Sequence, residues 1–441
     1  MSPASPAAAL AMLPPNVITL PNGVTLLNAP SASRNVGIFL IVRAGSRDES
    51  KETAGLAHYL EHMFYKGTER RPTTKQITRE IDRLGASTNA YTDTEEVGYY
   101  AEGPATAMHE LADIVTDMLS RPLFAVEEVE RERNVVLQEL SARLADPDGW
   151  IWDRLGTVTF GADQPVSWSA AGFPWVIEKA TRDQLLEYHR SFYAPASMCL
   201  VIAGGAVLEP DRAAALLADI PHARPRPRAQ ARWGQGERYA ANVRPFTPEE
   251  EPQIKMALAV PGIPALDDDR TALSVMTYIL GGGMSSRLFH TVRERNGLAY
   301  SIFAHHEPME DTGVFAIATG TRPKDAAKAV RLSFRELRKM AARPIPAAEL
   351  AAAKSAMIGR LLRSTETAMA SARFYGARWR ARLPLETPDD RAAAIAKVTV
   401  AEVQRVAERI ASGIDEVRLA FVGPQDQGEA LLDAATEGHA G

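Results

Sequence analysis

Residues 55–68 read Gly55-Leu-Ala-His58-Tyr-Leu-Glu61-His62-Met-Phe-Tyr-Lys-Gly-Thr68, and this stretch carries the strongest signal in the chain for both fold and chemistry. Leu56, Leu60 and Met63 recur at helical spacing, which predicts a helix with one apolar face. His58 and His62 stand four residues apart, so they project from a common face and can chelate one cation. Glu61 precedes the second histidine, and at about 100° per residue the three side chains share an arc of roughly 100°. A carboxylate there lies beside a bound metal, where it can hold and deprotonate a water. Neutral imidazoles suit zinc, and the order H-x-x-E-H is the reverse of the more familiar H-E-x-x-H.

A hydrolytic zinc site needs a third protein ligand and an open position. The chain has a single cysteine, Cys199, so no thiolate cluster or internal disulfide is available and the ligands must be histidine and carboxylate. The helical stretch 126–144 carries Val129, Val136, Leu140 and Leu144 on one face and offers Glu132 and Glu139, seven residues apart and so on one side. Either can ligate, with the other orienting a ligand histidine; spacing alone does not choose.

Outward from this stretch the same layout occurs twice. A strand run at 36–42 precedes the histidine helix, and a strand run at 254–260 precedes a helical stretch at 273–280. Both helices run into glycine, at Gly67 and at 281–283. Each half closes on a helix followed by a strand, TRDQLLEYHRSFY before MCLVIAGG and TVAEVQRVAERI before VRLAFVG. Gly67 maps onto Gly282 by a shift of 215 residues, and Gly204 onto Gly423 by 219. The expectation is an α+β protein of two homologous halves, each a mostly antiparallel sheet packed with helices. The halves are 1–220 and 253–441, with a Pro- and Arg-rich connector at 221–252. By the shift of 215, His58 and His62 fall near Leu273 and Thr277, so the second half has no metal-binding pair.

With 441 residues, 46% hydrophobic and 24% charged, the composition is that of a globular enzyme of two or three domains. The net charge of −5 argues against nucleic acid as a partner. It is unevenly spread: residues 1–220 hold 19 Lys+Arg against 29 Asp+Glu, and the remainder 31 against 26. Two halves of opposite sign would attract one another and grip a peptide of mixed charge. No apolar run reaches the ~18 residues that span a membrane. The N-terminal MSPASPAAALAMLPP lacks a basic start, so the expected location is cytoplasmic, with no membrane association.

These features together resemble the pitrilysin/insulinase family of inverted-zincin metallopeptidases, in its short branch similar to mitochondrial processing peptidase. The resemblance runs from Leu20-Pro-Asn-Gly-Val24 and Ala44-Gly-Ser-Arg-Asp-Glu49 through His58–Thr68, Asn89-Ala-Tyr-Thr92 and Glu130–Glu139 to GGGMSSRLFHTVRERNGLAY. It implies one zinc per chain, held by His58, His62 and a glutamate 77 residues beyond the second histidine, which is Glu139. It also implies Glu61 as general base and Glu132 as the acid that supports a ligand. In the second half it implies substrate binding by Arg293 and Tyr300, seven residues apart in VRERNGLAY and reaching across to the zinc site. A phenol and a guanidinium can donate to substrate carbonyls and to an oxyanion. Asn89 and Ala90 match a segment that pairs with substrate as an added β-strand.

The resemblance further implies an endopeptidase acting on peptides or unfolded polypeptide inside a closed chamber. The chain would form one half of a clamshell dimer, a homodimer or a heterodimer with a related subunit. Two other roles belong to such relatives: a non-catalytic peptide-binding or assembly subunit, and an active subunit that needs a different partner chain. The other conspicuous residues read as structural. His305 and His306 are adjacent and point apart on a strand, GGGMSSR lacks a P-loop ending, and Cys199 lies in an apolar run.

Overall fold

The computed structural model describes residues 14–221, 224–225, 227–244 and 253–437. Most of the N-terminal stretch read for a targeting signal, and residues 222–223, 226 and 245–252 of the connector, lie outside the described residues. Among the described residues two sheets carry the fold. The first contains β1 (Asn16–Thr19), β2 (Thr25–Pro30), β3 (Asn35–Val42), β4 (Ser87–Thr92), β5 (Val97–Pro104) and β6 (Met198–Gly204), in the order β1-β2-β6-β3-β5-β4. The second contains β7 (Tyr239–Val243), β8 (Ile254–Pro261), β9 (Ala299–Pro308), β10 (Gly313–Thr321) and β11 (Arg418–Gly423), in the order β7-β11-β8-β10-β9.

The two orders correspond strand for strand once β1 is set aside. In each sheet the first of the matched strands pairs parallel with the strand that comes last in sequence, β2 with β6 and β7 with β11. The other matched pairs are antiparallel, and each sheet ends on the first strand of a hairpin, β4 or β9. The expected α+β architecture with two mostly antiparallel sheets is what the structure contains. Strand β7 falls within the stretch read as a connector, and Arg228 of that stretch is an anchor, its guanidinium on Asp48 at 2.9 Å.

The chain forms two compact units, each described by itself. One gathers the described residues of 1–141, 169–229 and 361–391; the other gathers 142–168, 230–360 and 392–437. In the first, period-2 alternation sends Val36, Ile38, Leu40 and Val42 of β3 into one core and Phe39 and Ile41 into another. The second of these cores is closed by Met369, Ala372 and Tyr375 of the helix Ala368–Arg380. Gly37 permits that approach, because a Cβ there would stand 2.7 Å from the Met369 backbone. In the second unit, alanines 257, 259, 316, 318 and 420 form a flat face against Ile151, Leu155 and Val158 of the helix Pro147–Phe160. From Val36 to Val42 strand β3 is apolar without polar alternation, because both of its faces are covered there.

Leu350, Met357 and Leu361 recur at helical spacing along the helix Ala347–Arg363, yet only part of that stripe is core. Leu350 is buried, whereas Met357 and Leu361 are half-buried. Leu144 likewise emerges at the end of its helix, 37% exposed. Helical periodicity reports which face is apolar, not how much of that face its neighbours cover. Among the described residues no helix is long and apolar enough to cross a membrane.

Candidate metal centre

The histidine helix is Leu56–Phe64, as its apolar spacing predicts. It begins after Gly55, whose φ of 101° lies in the left-handed region that favours glycine. The first turn leaves backbone N–H groups without helical acceptors. Glu49 accepts two of them, from Gly55 at 2.8 Å and from Ala57 at 2.8 Å. Burial pushes the Glu49 carboxyl up to about 8 against the lowering effect of those two bonds. Leu56, Ala57, Tyr59, Leu60, Met63 and Phe64 face the core, leaving His58, Glu61 and His62 on the opposite side.

A second helix, Val126–Ala145, supplies both glutamates. The buried phenol of Tyr59 donates to the carbonyl of Val129 and fixes how the two helices align. One turn farther along each, Glu132 accepts from His62 Nδ1 at 2.8 Å and from Lys66 Nζ at 2.6 Å. With Nδ1–H committed to Glu132, His62 Nε2 is left with its lone pair toward the site. That nitrogen is 3.3 Å from His58 Nε2 and 3.4 Å from Glu139 Oε2, and His58 Nε2 is 3.7 Å from the same oxygen. Three ligand atoms around a tetrahedral zinc, at bonds of ~2.0–2.1 Å, would lie about 3.3 Å apart. The donor set and its spacing therefore fit that ion, with a fourth position open. The spacing left Glu132 and Glu139 as equals; the helix alignment separates them, putting Glu132 against Nδ1 and Glu139 against Nε2.

Glu61 lies on the same face, and Thr92 Oγ1 donates to its Oε2 at 2.5 Å. Burial pushes the Glu61 carboxyl above its usual range and the Glu139 charge adds to this, while Thr92 and His62 oppose. For His62, burial pulls the imidazole down, but the Glu132 hydrogen bond and the charges of Glu139 and Glu61 outweigh it and raise it. Burial raises Glu132 less than its bonds to His62 and Lys66 lower it, so it stays ionised. Thr92, Glu49 and Lys66 carry no signal of these roles in the sequence pattern. Thr92 ends a segment that bears the family resemblance, but no spacing rule links residue 92 to residue 61.

Two segments of the chain match known families. Residues 24–164 match the insulinase family, peptidase family M16, and residues 179–357 match the peptidase M16 inactive domain. An uncharacterized zinc protease of Streptomyces coelicolor is 32% identical over 431 residues, covering 94% of this chain and 91% of its own. The chain belongs to peptidase family M16. An uncharacterized zinc protease of Rickettsia felis is 29% identical over 426 residues, covering 93% of this M16 chain and 98% of its own. In fold, the chain is similar to a crystallised peptidase M16 inactive domain from Pseudomonas fluorescens, with a TM-score of 0.84 at 21% identity over 94% of this chain and 99% of that one. A protease from Helicobacter pylori gives a TM-score of 0.83 at 20% identity, over 94% and 100%.

The remaining candidate residues of this M16 sequence occupy definite local settings. Asn89 and Ala90 lie on β4, the outer strand of its sheet. In the second unit Arg293 sits on a π-helical turn, Phe289–Glu294, and donates to the Tyr300 carbonyl at 2.7 Å. Its guanidinium lies 4.7 Å from the Phe289 ring centroid and 5.0 Å from that of Tyr300. Tyr300, the second residue of β9, is 85% exposed, unusual for a tyrosine in a strand. The counterparts of the two histidines, Leu273 and Thr277, lie on the helix Arg270–Gly281. His305 approaches Glu307 while His306 turns inward to Ile263, and Cys199 is buried in the sheet.

Proposed function

We propose that this M16 chain is a zinc-dependent endopeptidase of peptides or unstructured polypeptide segments, with one zinc held by His58, His62 and Glu139. The observation that carries the reading is the triad of ligand atoms 3.3–3.7 Å apart, with Glu132 fixing the tautomer of one of them. Zinc bound there would supply a Lewis acid for a peptide carbonyl and acidify a water. Glu61 takes the proton from the attacking water and returns it to the leaving amine. Its raised pKa suits both halves of that transfer. Thr92 holds the carboxylate in one rotamer through its 2.5 Å bond. Arg293 and the exposed phenol of Tyr300 bind substrate carbonyls and steady the oxyanion. The outer strand β4, with Asn89 and Ala90, presents backbone groups on which an extended substrate can add as a strand.

Two such chains, a second copy or a related subunit, enclose the substrate in a chamber whose size excludes folded proteins. The expected location is the cytoplasm. The test is cleavage of an unstructured mixed-sequence peptide pool by the zinc-loaded chain beside its Glu61→Gln variant. Cleavage by the parent, and at least 100-fold less by a variant that still binds zinc, supports the reading. Equal cleavage by the two removes Glu61 as the base. No cleavage by the zinc-loaded parent favours a binding or assembly role, or a requirement for another chain.

A further inference from the structure

Away from the metal centre, the second unit gathers positive charge into one concavity. The helix Ala326–Ala342 turns Arg331, Arg335, Arg338 and Lys339 to one side, at helical spacing, and Arg343 follows just past its end. The opposite face of this helix is core, with Val330, Leu337 and Met340 buried, so the basic row is held in place. Arg287 joins it from a segment some 40 residues earlier in sequence, and Glu437 joins from the end of the helix Gly428–Thr436. Together they line a cavity of about 700 Å³, within the range of small-molecule sites.

Three of these cations have carboxylate partners. Arg287 forms two parallel bonds to Glu349, at 2.8 and 2.7 Å, Lys339 pairs with Glu336 at 2.7 Å, and Arg331 pairs with Glu437. Arg338 donates to the carbonyls of Ala435 and Glu437, and burial lowers its guanidinium against the opposing Glu437 charge. Arg335 and Arg343 have no carboxylate partner among the described residues. Among the described residues, the six lining cations and their three carboxylate partners leave an excess of three positive charges at this cavity. A row of like charge on a convex helix is ordinarily solvated surface. Here the row is concave and walled by three separate segments. Its free groups are guanidinium forks, whose planar donors match phosphate oxygens in pairs.

We propose that this concavity binds an oligophosphate, a compact ligand of three or more clustered negative charges. A single carboxylate would engage one fork and leave the others facing each other. The site is independent of the peptidase reading and of the zinc ligands.

The test is calorimetric titration of the full-length chain with inorganic tripolyphosphate, beside orthophosphate and sulfate at equal ionic strength. The comparison protein is the double variant Arg335→Glu, Arg343→Glu, whose exposed positions leave the core untouched and whose melting curve checks the fold. The expected result is tripolyphosphate binding at least tenfold tighter than either simple anion, and at least tenfold weaker in the double variant. Equal binding by the folded double variant overturns the proposal, as does equal affinity for sulfate, or no binding by the parent. Preference for anionic lipid vesicles or an acidic peptide over tripolyphosphate overturns it too.

Discussion

Replacing Glu132 by glutamine preserves shape and removes a charge beside the candidate metal centre. The carboxylate is 5% exposed and accepts two bonds, from His62 Nδ1 at 2.8 Å and from Lys66 Nζ at 2.6 Å. A glutamine has one carbonyl oxygen for two donors. If the oxygen stays on His62, the amide nitrogen faces the Lys66 ammonium and that contact becomes repulsive. If the amide flips, His62 must reverse its tautomer, and Nε2–H then points at Glu139 where a lone pair is required. Loss of such a supporting partner weakens metal affinity by about 10–100-fold, or about 1.4–2.7 kcal/mol. The donor conflict here favours the upper part of that range. Competition of parent and variant against a fluorescent zinc chelator measures it, with far-ultraviolet circular dichroism to confirm the helices. Zinc affinity within twofold of the parent would refute the positioning argument. So would a loss explained entirely by unfolding, since Glu132 would then be holding the fold rather than the ligand.

Three further outcomes rest on particular contacts. Thr92→Val keeps side-chain volume and deletes the 2.5 Å bond to Glu61, so kcat should fall about tenfold while KM and zinc affinity hold; an unchanged kcat would show that Glu61 needs no such brace. Gly55→Ala forces a side chain onto φ 101° and puts its Cβ 2.9 Å from the Ala171 carbonyl oxygen, which should cost about 2–3 kcal/mol in denaturant titration. Gly85→Ala, at φ 63° with open space around it, should cost only about 1 kcal/mol, and equal losses would mean that the close approach is unimportant. His189 is buried among Phe64, Phe124 and Tyr193, and burial lowers its imidazole to about 4. A base depressed on folding stays neutral in the native state while the unfolded chain protonates. The contribution of His189 to stability is therefore complete above pH 6.5 and is lost as pH falls toward 4, by up to about 3 kcal/mol. His189→Gln should flatten that dependence, and parallel pH–stability curves would exclude His189 as its source.

Much of the site can be read from spacing because it is built on helices. His58 and His62 share a face by virtue of four residues, and Glu132 and Glu139 by virtue of seven. What spacing does not contain is how one helix is set along another. That alignment rests on the Tyr59 bond to Val129, and it gives the two glutamates different tasks. Thr92 is hidden from sequence reasoning for the same cause: it reaches Glu61 from β4, 31 residues away, through pairing and packing that no local pattern encodes. The helix Ala347–Arg363 shows the converse: its apolar spacing is legible, but the structure covers only the beginning of that stripe.

The amino-acid sequence by itself determined most of the element types, the two-fold repetition of the α+β layout and the residue types of the candidate metal centre. Those depend on local periodicity and on donor chemistry, both written in neighbouring residues. Tertiary structure alone decided which helix covers which sheet. The helix Ala368–Arg380 packs on β3 of the first sheet and Pro147–Phe160 on the second, although each lies in the other half of the chain. Such choices turn on surface fit, a missing Cβ at Gly37 in one case and a face of alanines in the other. Complementarity of that kind exists only once both surfaces have formed.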